Sequence, residues 1–298
     1  MKSTRARRAG VLAAVVAVAL GLAGCTPTPK PVRTPDGFTT QKAIEYRSVD
    51  GVSLKADACL PTEGEGERPA LLMLHGGGFV DGARNEGGMT ELCEYYAKRG
   101  FVSVTIDYRL LQQSRYPGQI EDAQAAVEWL RDPAQVERFG LDPARIGVMG
   151  SSAGAIIGAT LGTLGEGSLT EGTRVKTVVA FSAVADMTEA GMSLGTPRPE
   201  AKEQILAYLG CKDIDISTCP QSVEASPISS VDPTDAPQIW LTSEDELVPV
   251  EQADAMQVAL QDSGVESDVG VDGSGHHGLQ NNTPNNKKAI LAFLQANL

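Results

Sequence analysis

The sequence predicts an α/β fold built on a mainly parallel, doubly wound sheet, and three observations predict it. Short, near-continuous apolar runs recur along the chain, as suits parallel strands covered on both faces. Helix-compatible segments lie between them, and such alternation is the pattern of a doubly wound sheet. About 258 residues follow an N-terminal leader and linker, a length that suits one domain of this kind.

The elements follow in order. Ile44 to Val49 and Ser53 to Cys59 read as a hairpin turning at Asp50-Gly51. Leu71 to His75, Val102 to Ile106, Ile146 to Met149, Val175 to Ala180, Gln238 to Leu241 and Ser267 to Val271 read as parallel strands. Gly88 to Arg99, Gln119 to Arg131, Ser152 to Leu164, Glu251 to Asp262 and Asn285 to Asn297 read as the helices between and after them. Between Ser182 and Ser230 the alternation lapses. That segment carries Met187, Met192, Leu194, Pro197 and Pro199, then a helix-like Glu200 to Leu209, and reads as a lid or pocket wall.

The first residues are of another kind. Lys2, Arg5, Arg7 and Arg8 make a basic start, and Gly10 to Gly21 is an apolar stretch too short to span a bilayer as a mature helix. Small residues at Ala23 and Gly24 precede Cys25, a pattern that resembles the lipobox of bacterial lipoproteins. The resemblance implies a signal peptide over 1–24, lipid on the Cys25 thiol and attachment to the membrane of a bacterial cell envelope. An ordinary secretory peptide with an incidental Cys25 is the alternative, and Arg7-Arg8 leaves the export route open. Residues 25–40, rich in Pro and Thr, read as an extended tether that rises ~3.1 Å per residue.

The formal charge is -13, and loss of residues 1–24 takes away four basic residues and no acid, leaving 21 basic against 38 acidic, or -17. That balance excludes a nucleic-acid partner and a basic membrane-binding face. Beyond Cys25 the cysteines are Cys59, Cys93, Cys211 and Cys219. Outside the cytoplasm an even number permits disulfides. Cys211 and Cys219 bracket a short polar loop and form the expected local bridge; Cys59 with Cys93 is the weaker expectation. No Cys and His spacing suits a zinc site, and no metal or other cofactor is expected.

Two motifs carry chemistry. Gly150-Ser151-Ser152-Ala153-Gly154 stands between an apolar run and a helical one, the setting of a nucleophile elbow. Glycines at its ends let strand and helix pack closely, and Ser152 stands out of the bend. Upstream, a buried strand runs into His75-Gly76-Gly77-Gly78. Acyl transfer needs backbone amides aimed at the oxygen that turns negative, and a glycine run supplies them unobstructed. Gly77, Gly78 and Ala153, the residue after the serine, are the oxyanion candidates. His75 belongs to this strand end, where it holds the loop.

These motifs, with Asp107-Tyr108-Arg109-Leu110, Tyr116-Pro117, Glu121-Asp122, Trp129-Leu130, Phe139-Gly140-Leu141-Asp142-Pro143 and Arg145-Ile146 in the same order, resemble the α/β-hydrolase superfamily. The closest likeness is to hormone-sensitive-lipase-like carboxylesterases and to bacterial acetyl and feruloyl esterases, and it covers about Ile44 to the C-terminus. Ser151 and Ala155 stand where many lipase-like members carry Asp and Gly, which moves the likeness toward the polysaccharide-esterase relatives. The resemblance implies an α/β-hydrolase domain over 41–298, with a cap insertion within 182–230. It also implies a Ser, acid, His order along the chain. The acid lies three residues before Val-Pro in the family, which is Asp245, with Glu244 and Glu246 facing water. The base is His276, counting from Gly275, or His277, counting back from Gly278; His276 is favoured.

The implied activity is hydrolysis of short- to medium-chain carboxylic esters, including acyl groups on polysaccharide, through an acyl-enzyme. The partner is then a small-molecule or glycan ester. A peptidase or amidase of the same superfamily and a non-catalytic surface lipoprotein are the alternatives. Oligomeric state is not legible in the sequence.

Overall fold

A computed structural model describes residues 32–33, 37–64 and 66–298. The leader, Cys25 and most of the tether lie outside the described residues. In chain order the strands are β1 (Val32–Arg33), β2 (Phe38–Val49), β3 (Val52–Pro61), β4 (Arg68–Leu74), β5 (Val102–Ile106), β6 (Leu141–Ser151), β7 (Val178–Phe181), β8 (Gln238–Ser243) and β9 (Ser267–Asp272). The helices are α1 (Met89–Ala97), α2 (Gly118–Arg131), α3 (Pro133–Phe139), α4 (Ala153–Thr163), α5 (Pro199–Leu209), α6 (Gln221–Glu224), α7 (Val250–Asp262) and α8 (Pro284–Asn297).

The strands form one sheet in the order β1-β2-β3-β5-β4-β6-β7-β8-β9. From β5 through β9 every pairing is parallel; β1, β2 and β3 form an antiparallel edge. This is the α/β-hydrolase fold. Successive side chains of β4 serve opposite faces, as strand geometry requires. Leu71 and Met73 pack with α1 and α8, while Leu72 and Leu74 pack with α2, α4 and α7. α4 is buried along its whole length. A helix apolar all round belongs inside the molecule, and α4 packs closely on β6 and β7.

Two features depart from the sequence reading. Residues 32–33 and 38–40, assigned to the tether, pair within the sheet: Val32 opposes Thr40 and Phe38 opposes Pro61. Phe38 is buried in the layer containing α1 and α8, so the folded domain begins earlier than residue 41. The unpredicted α3 has clear end signals: the Asp132 carboxylate accepts from the Ala134 amide at 2.8 Å, Pro133 opens the helix and Gly140 closes it in the left-handed region.

Segment 182–230 folds as two short 3-10 turns, Gly191–Ser193 and Pro227–Ser230, with α5 and α6 between them. It docks on the glycine-rich loop after β4, where Tyr208 stacks on Phe79 with ring centroids 4.0 Å apart. The structure pairs Cys211 with Cys219 just after α5, and Cys59 of β3 with Cys93 of α1. Among the described residues no helix is long and apolar enough to cross a membrane.

Candidate active site

β6 ends at Ser151 and α4 begins at Ala153, so Ser152 alone makes the bend. Its backbone sits at φ 52°, ψ -116°, a strained conformation for a residue with a side chain. The Ser152 amide donates to the Phe181 carbonyl at 2.8 Å, which ties the bend to β7. A Cβ on Gly150 would lie 2.1 Å from the Gly154 carbonyl oxygen. One on Gly154 would lie 2.4 Å from the carbonyl oxygens of both Leu74 and His75. Only glycine fits at either end of the bend.

Ser152 opens on a cleft of about 560 Å³ between the glycine-rich loop and the segment after β9. Gly77 and Gly78 line this cleft, and Ala153 lies beside Ser152. The amides of Gly77, Gly78 and Ala153 donate to no protein acceptor among the described residues. They remain free to hold an oxyanion, and the amino end of α4 adds its dipole.

The loop is braced from below by Asp107-Tyr108-Arg109. Tyr108 stacks on His75 with ring centroids 4.2 Å apart, and its hydroxyl donates to the His75 carbonyl at 2.8 Å. Burial lowers the His75 pKa and favours the neutral ring, whose Nδ1–H donates to the Gly76 carbonyl at 2.7 Å. Asp107 holds the far end of the loop through Arg84 Nη1 at 2.7 Å, and Arg84 Nε reaches Asp57 at 2.8 Å. Arg109 is buried against Asp122 of α2 at 2.9 Å.

His277 follows β9 and aims its Nε2 at Ser152 Oγ, 2.8 Å away. Its Nδ1 lies 2.5 Å from Glu246 Oε2. A carboxylate takes the Nδ1–H, which leaves the Nε2 lone pair for the serine proton. Glu246 is fully buried at its side chain. Its Oε1 accepts from Ser182 Oγ at 2.8 Å, Thr242 Oγ1 at 2.5 Å and the Ser243 amide at 3.1 Å. Ser182 in turn accepts from the Gly278 amide at 2.8 Å and Asn281 Nδ2 at 3.1 Å, which locks the histidine segment to the carboxylate.

The sequence reading assigned the acid to Asp245 and favoured His276 over His277 as the base; the structure brings Glu246 and the alternative, His277, to Ser152 instead. Asp245 takes a left-handed backbone at φ 56°, and its exposed carboxylate makes no hydrogen bond among the described residues. The turn centred on it carries the next side chain, Glu246, inward. His276 turns away from the cleft: its Nδ1 is 3.6 Å from Asp272, and the ring is 43% exposed. The Ser274 hydroxyl holds the Asp272 carboxyl below its ordinary pKa, and Ser243 Oγ donates to the same carboxylate at 2.7 Å. Ser182 and Thr242 went unnoticed in the sequence, although both stand at the carboxyl ends of strands, where α/β sites form. Among the described residues no group of three or more His, Cys, Asp or Glu could hold a metal ion.

Comparison with known proteins adds the family. A stretch of 95 residues is 36% identical to arylacetamide deacetylase of Bos taurus, covering 32% of this chain and 24% of that protein. The chain thus spans about a quarter of the length of that curated relative. Thermogutta terrifontis esterase 2, phosphonylated by sarin, shares the fold with a TM-score of 0.69 at 23% identity, covering 84% of this chain and 90% of that one. A truncated carbohydrate esterase from gut microbiota does so with a TM-score of 0.72 at 22% identity, covering 89% and 98%. The BD-FAE family model matches residues 56–260, more than two thirds of the sequence, and the chain belongs to the BD-FAE family.

Proposed function

We propose that this chain is a serine carboxylic ester hydrolase that works through an acyl-enzyme on short- to medium-chain esters, acyl groups on polysaccharide among them. The observation that carries the reading is the line from Ser152 Oγ through His277 to the buried Glu246. Ser152 attacks the ester carbonyl while His277 Nε2 takes its proton. Glu246 keeps the imidazole in the needed tautomer and stabilises the imidazolium. The amides of Gly77, Gly78 and Ala153 hold the oxyanion. His277 then gives its proton to the departing alcohol, and water releases the acyl group by the same steps in reverse. The names of the relatives, a deacetylase and two esterases, point the same way.

Ser152→Ala tests this. It lowers kcat on p-nitrophenyl esters by at least about 10⁴-fold and abolishes labelling by a fluorophosphonate, with the circular dichroism spectrum unchanged. Equal turnover in the two proteins defeats the reading.

The leader supports a place for the enzyme: outside the cytoplasm, on the bacterial envelope, held by lipid on Cys25. The pairings Cys59–Cys93 and Cys211–Cys219 suit that oxidising setting. Mass spectrometry of the membrane fraction finds a diacylglyceryl group on Cys25 if this is right, and an unmodified or absent Cys25 if it is wrong.

A further inference from the structure

The two glycine amides of the oxyanion hole are aimed by different means. A trans peptide points its carbonyl and its N–H in opposite directions, so whatever takes the carbonyl aims the amide. Behind the Gly77 amide stands the Gly76 carbonyl, and the His75 ring takes it. Behind the Gly78 amide stands the Gly77 carbonyl, which accepts from the Val80 and Asp81 amides, each at 3.1 Å. The Val80 bond closes a four-residue turn from Gly77 to Val80, and its central residues, Gly78 and Phe79, stand at φ 58° and 64°. Two left-handed central residues make a turn of type I′, which glycine and asparagine favour. Gly78 meets that requirement. Phe79 breaks it, for a bulky side chain is an outlier in this region. Strain of this kind persists only where the surrounding structure imposes it.

Here the cap imposes it. Tyr208 of α5 lies flat on the Phe79 ring, with centroids 4.0 Å and planes 6° apart, and both side chains are buried. Tyr116 sets its ring edge-on to Tyr208 with centroids 5.7 Å apart, and its amide donates to the Tyr208 carbonyl at 3.1 Å, which holds the stack in turn. The Tyr208 hydroxyl is buried with no hydrogen-bond partner among the described residues. An unpaired polar group opposes burial, so the ring alone keeps Tyr208 in this place.

We infer that Tyr208 is a positioning residue for the oxyanion hole: its ring clamps Phe79 in the left-handed turn that keeps the Gly78 amide aimed into the cleft. This rests on the hydrolase reading and deepens it, since the cap then serves the chemical step as well as walling the cleft. Without the ring, Phe79 relaxes toward an ordinary backbone conformation. The Gly77 carbonyl then leaves the Val80 amide, and the Gly78 amide swings off the oxyanion.

Kinetics on p-nitrophenyl acetate test this, with Tm measured for each protein and rates taken below the lowest Tm. Tyr208→Leu lowers kcat by about 10²-fold, toward what removal of one oxyanion donor costs, and leaves KM unchanged because the oxyanion exists only in the transition state. The acid limb of its pH profile stays in place, since His277 and Glu246 are untouched. Tyr208→Phe keeps the ring and stays within about twofold of wild type. A second pair of variants separates positioning from packing. Phe79→Leu retains most of the buried volume but leaves the left-handed backbone unclamped, while Phe79→Gly opens a cavity yet takes the turn without strain. Phe79→Gly is therefore the less stable protein and the faster enzyme of the two, by about tenfold in kcat. Packing alone ranks both properties the same way. A folded Tyr208→Leu protein with wild-type kcat overturns the inference, as does a rise in KM in place of the fall in kcat. A loss in Tyr208→Phe as large as in Tyr208→Leu overturns the part given to the ring. Phe79→Leu equal to or faster than Phe79→Gly also overturns it, and this pair decides alone if Tyr208→Leu does not fold. A folded wild-type protein inert toward every ester defeats the hydrolase reading itself; all the other outcomes are read against an active wild type.

Discussion

The Glu246 carboxylate accepts from Ser182, Thr242, the Ser243 amide and His277, and an amide in its place cannot. Glu246→Gln turns an N–H₂ toward at least one of those donors and lets the imidazole take the wrong tautomer. Its kcat falls by about 10⁴-fold, the cost of a wrong tautomer in such a relay, with KM little changed. Asp245→Asn stays within about twofold of wild type, because its carboxylate touches nothing in the cleft. His277→Ala matches Ser152→Ala, while His276→Ala remains an active enzyme. Rates for the four variants against wild type check all of this, and loss of turnover in Asp245→Asn rather than Glu246→Gln reverses the assignment. The site was legible in the sequence to within one residue at two of its three positions. Three acids stand together at 244–246 and two histidines at 276–277, and counting from fixed neighbours cannot separate them. What separates them is a backbone angle. Asp tolerates the left-handed region far better than Glu, so a tight turn here favours Asp245 at its corner and Glu246 on the inside.

At the level of elements, the apolar runs of the parallel strands were plain because burial on both faces leaves no other pattern. α3 was obscured because its seven residues are too few to show a period, and only its caps mark it. The elbow shows how far local preference yields to packing. Alanine is a better helix former than glycine by about 1 kcal/mol, and Gly154 and Gly158 both lie in α4. Their surroundings differ. A Cβ on Gly154 meets two carbonyl oxygens at 2.4 Å, while one on Gly158 meets Val148 Cγ2 at 3.5 Å, an ordinary contact. Gly154→Ala therefore loses about 3 kcal/mol, or about 6–12 °C in Tm, because α4 must move off β4. Gly158→Ala is neutral or gains up to about 1 kcal/mol. Calorimetry of the pair decides it, and equal shifts refute the packing argument.

Across the whole molecule, the two disulfides close loops of unequal length around different parts of the site. Cys59–Cys93 spans 34 residues and encloses the entire glycine-rich loop from His75 to Gly88; Cys211–Cys219 spans 8 and closes the chain just beyond α5. In the chain-entropy account the longer loop contributes about 4 kcal/mol and the shorter about 2.5 kcal/mol, against a total stability of about 5–15 kcal/mol for an ordinary domain. Their accessibility runs the other way. Cys59 and Cys93 are both buried, at 4% and 1% exposure; Cys219 is buried as well, but its partner Cys211 is partly exposed and open to attack. A thiol reductant added to the native protein therefore opens Cys211–Cys219 first and costs the smaller amount. Cys59–Cys93 yields only when the chain unfolds, and then costs the larger. Alkylation of the native protein under mild reductant followed by mass spectrometry finds label on Cys211 and Cys219 before Cys59 and Cys93. The Cys59→Ala/Cys93→Ala protein melts below the Cys211→Ala/Cys219→Ala protein by about 3–6 °C. Label appearing first on Cys59 and Cys93, or the reverse order of melting, breaks the argument from loop length and burial.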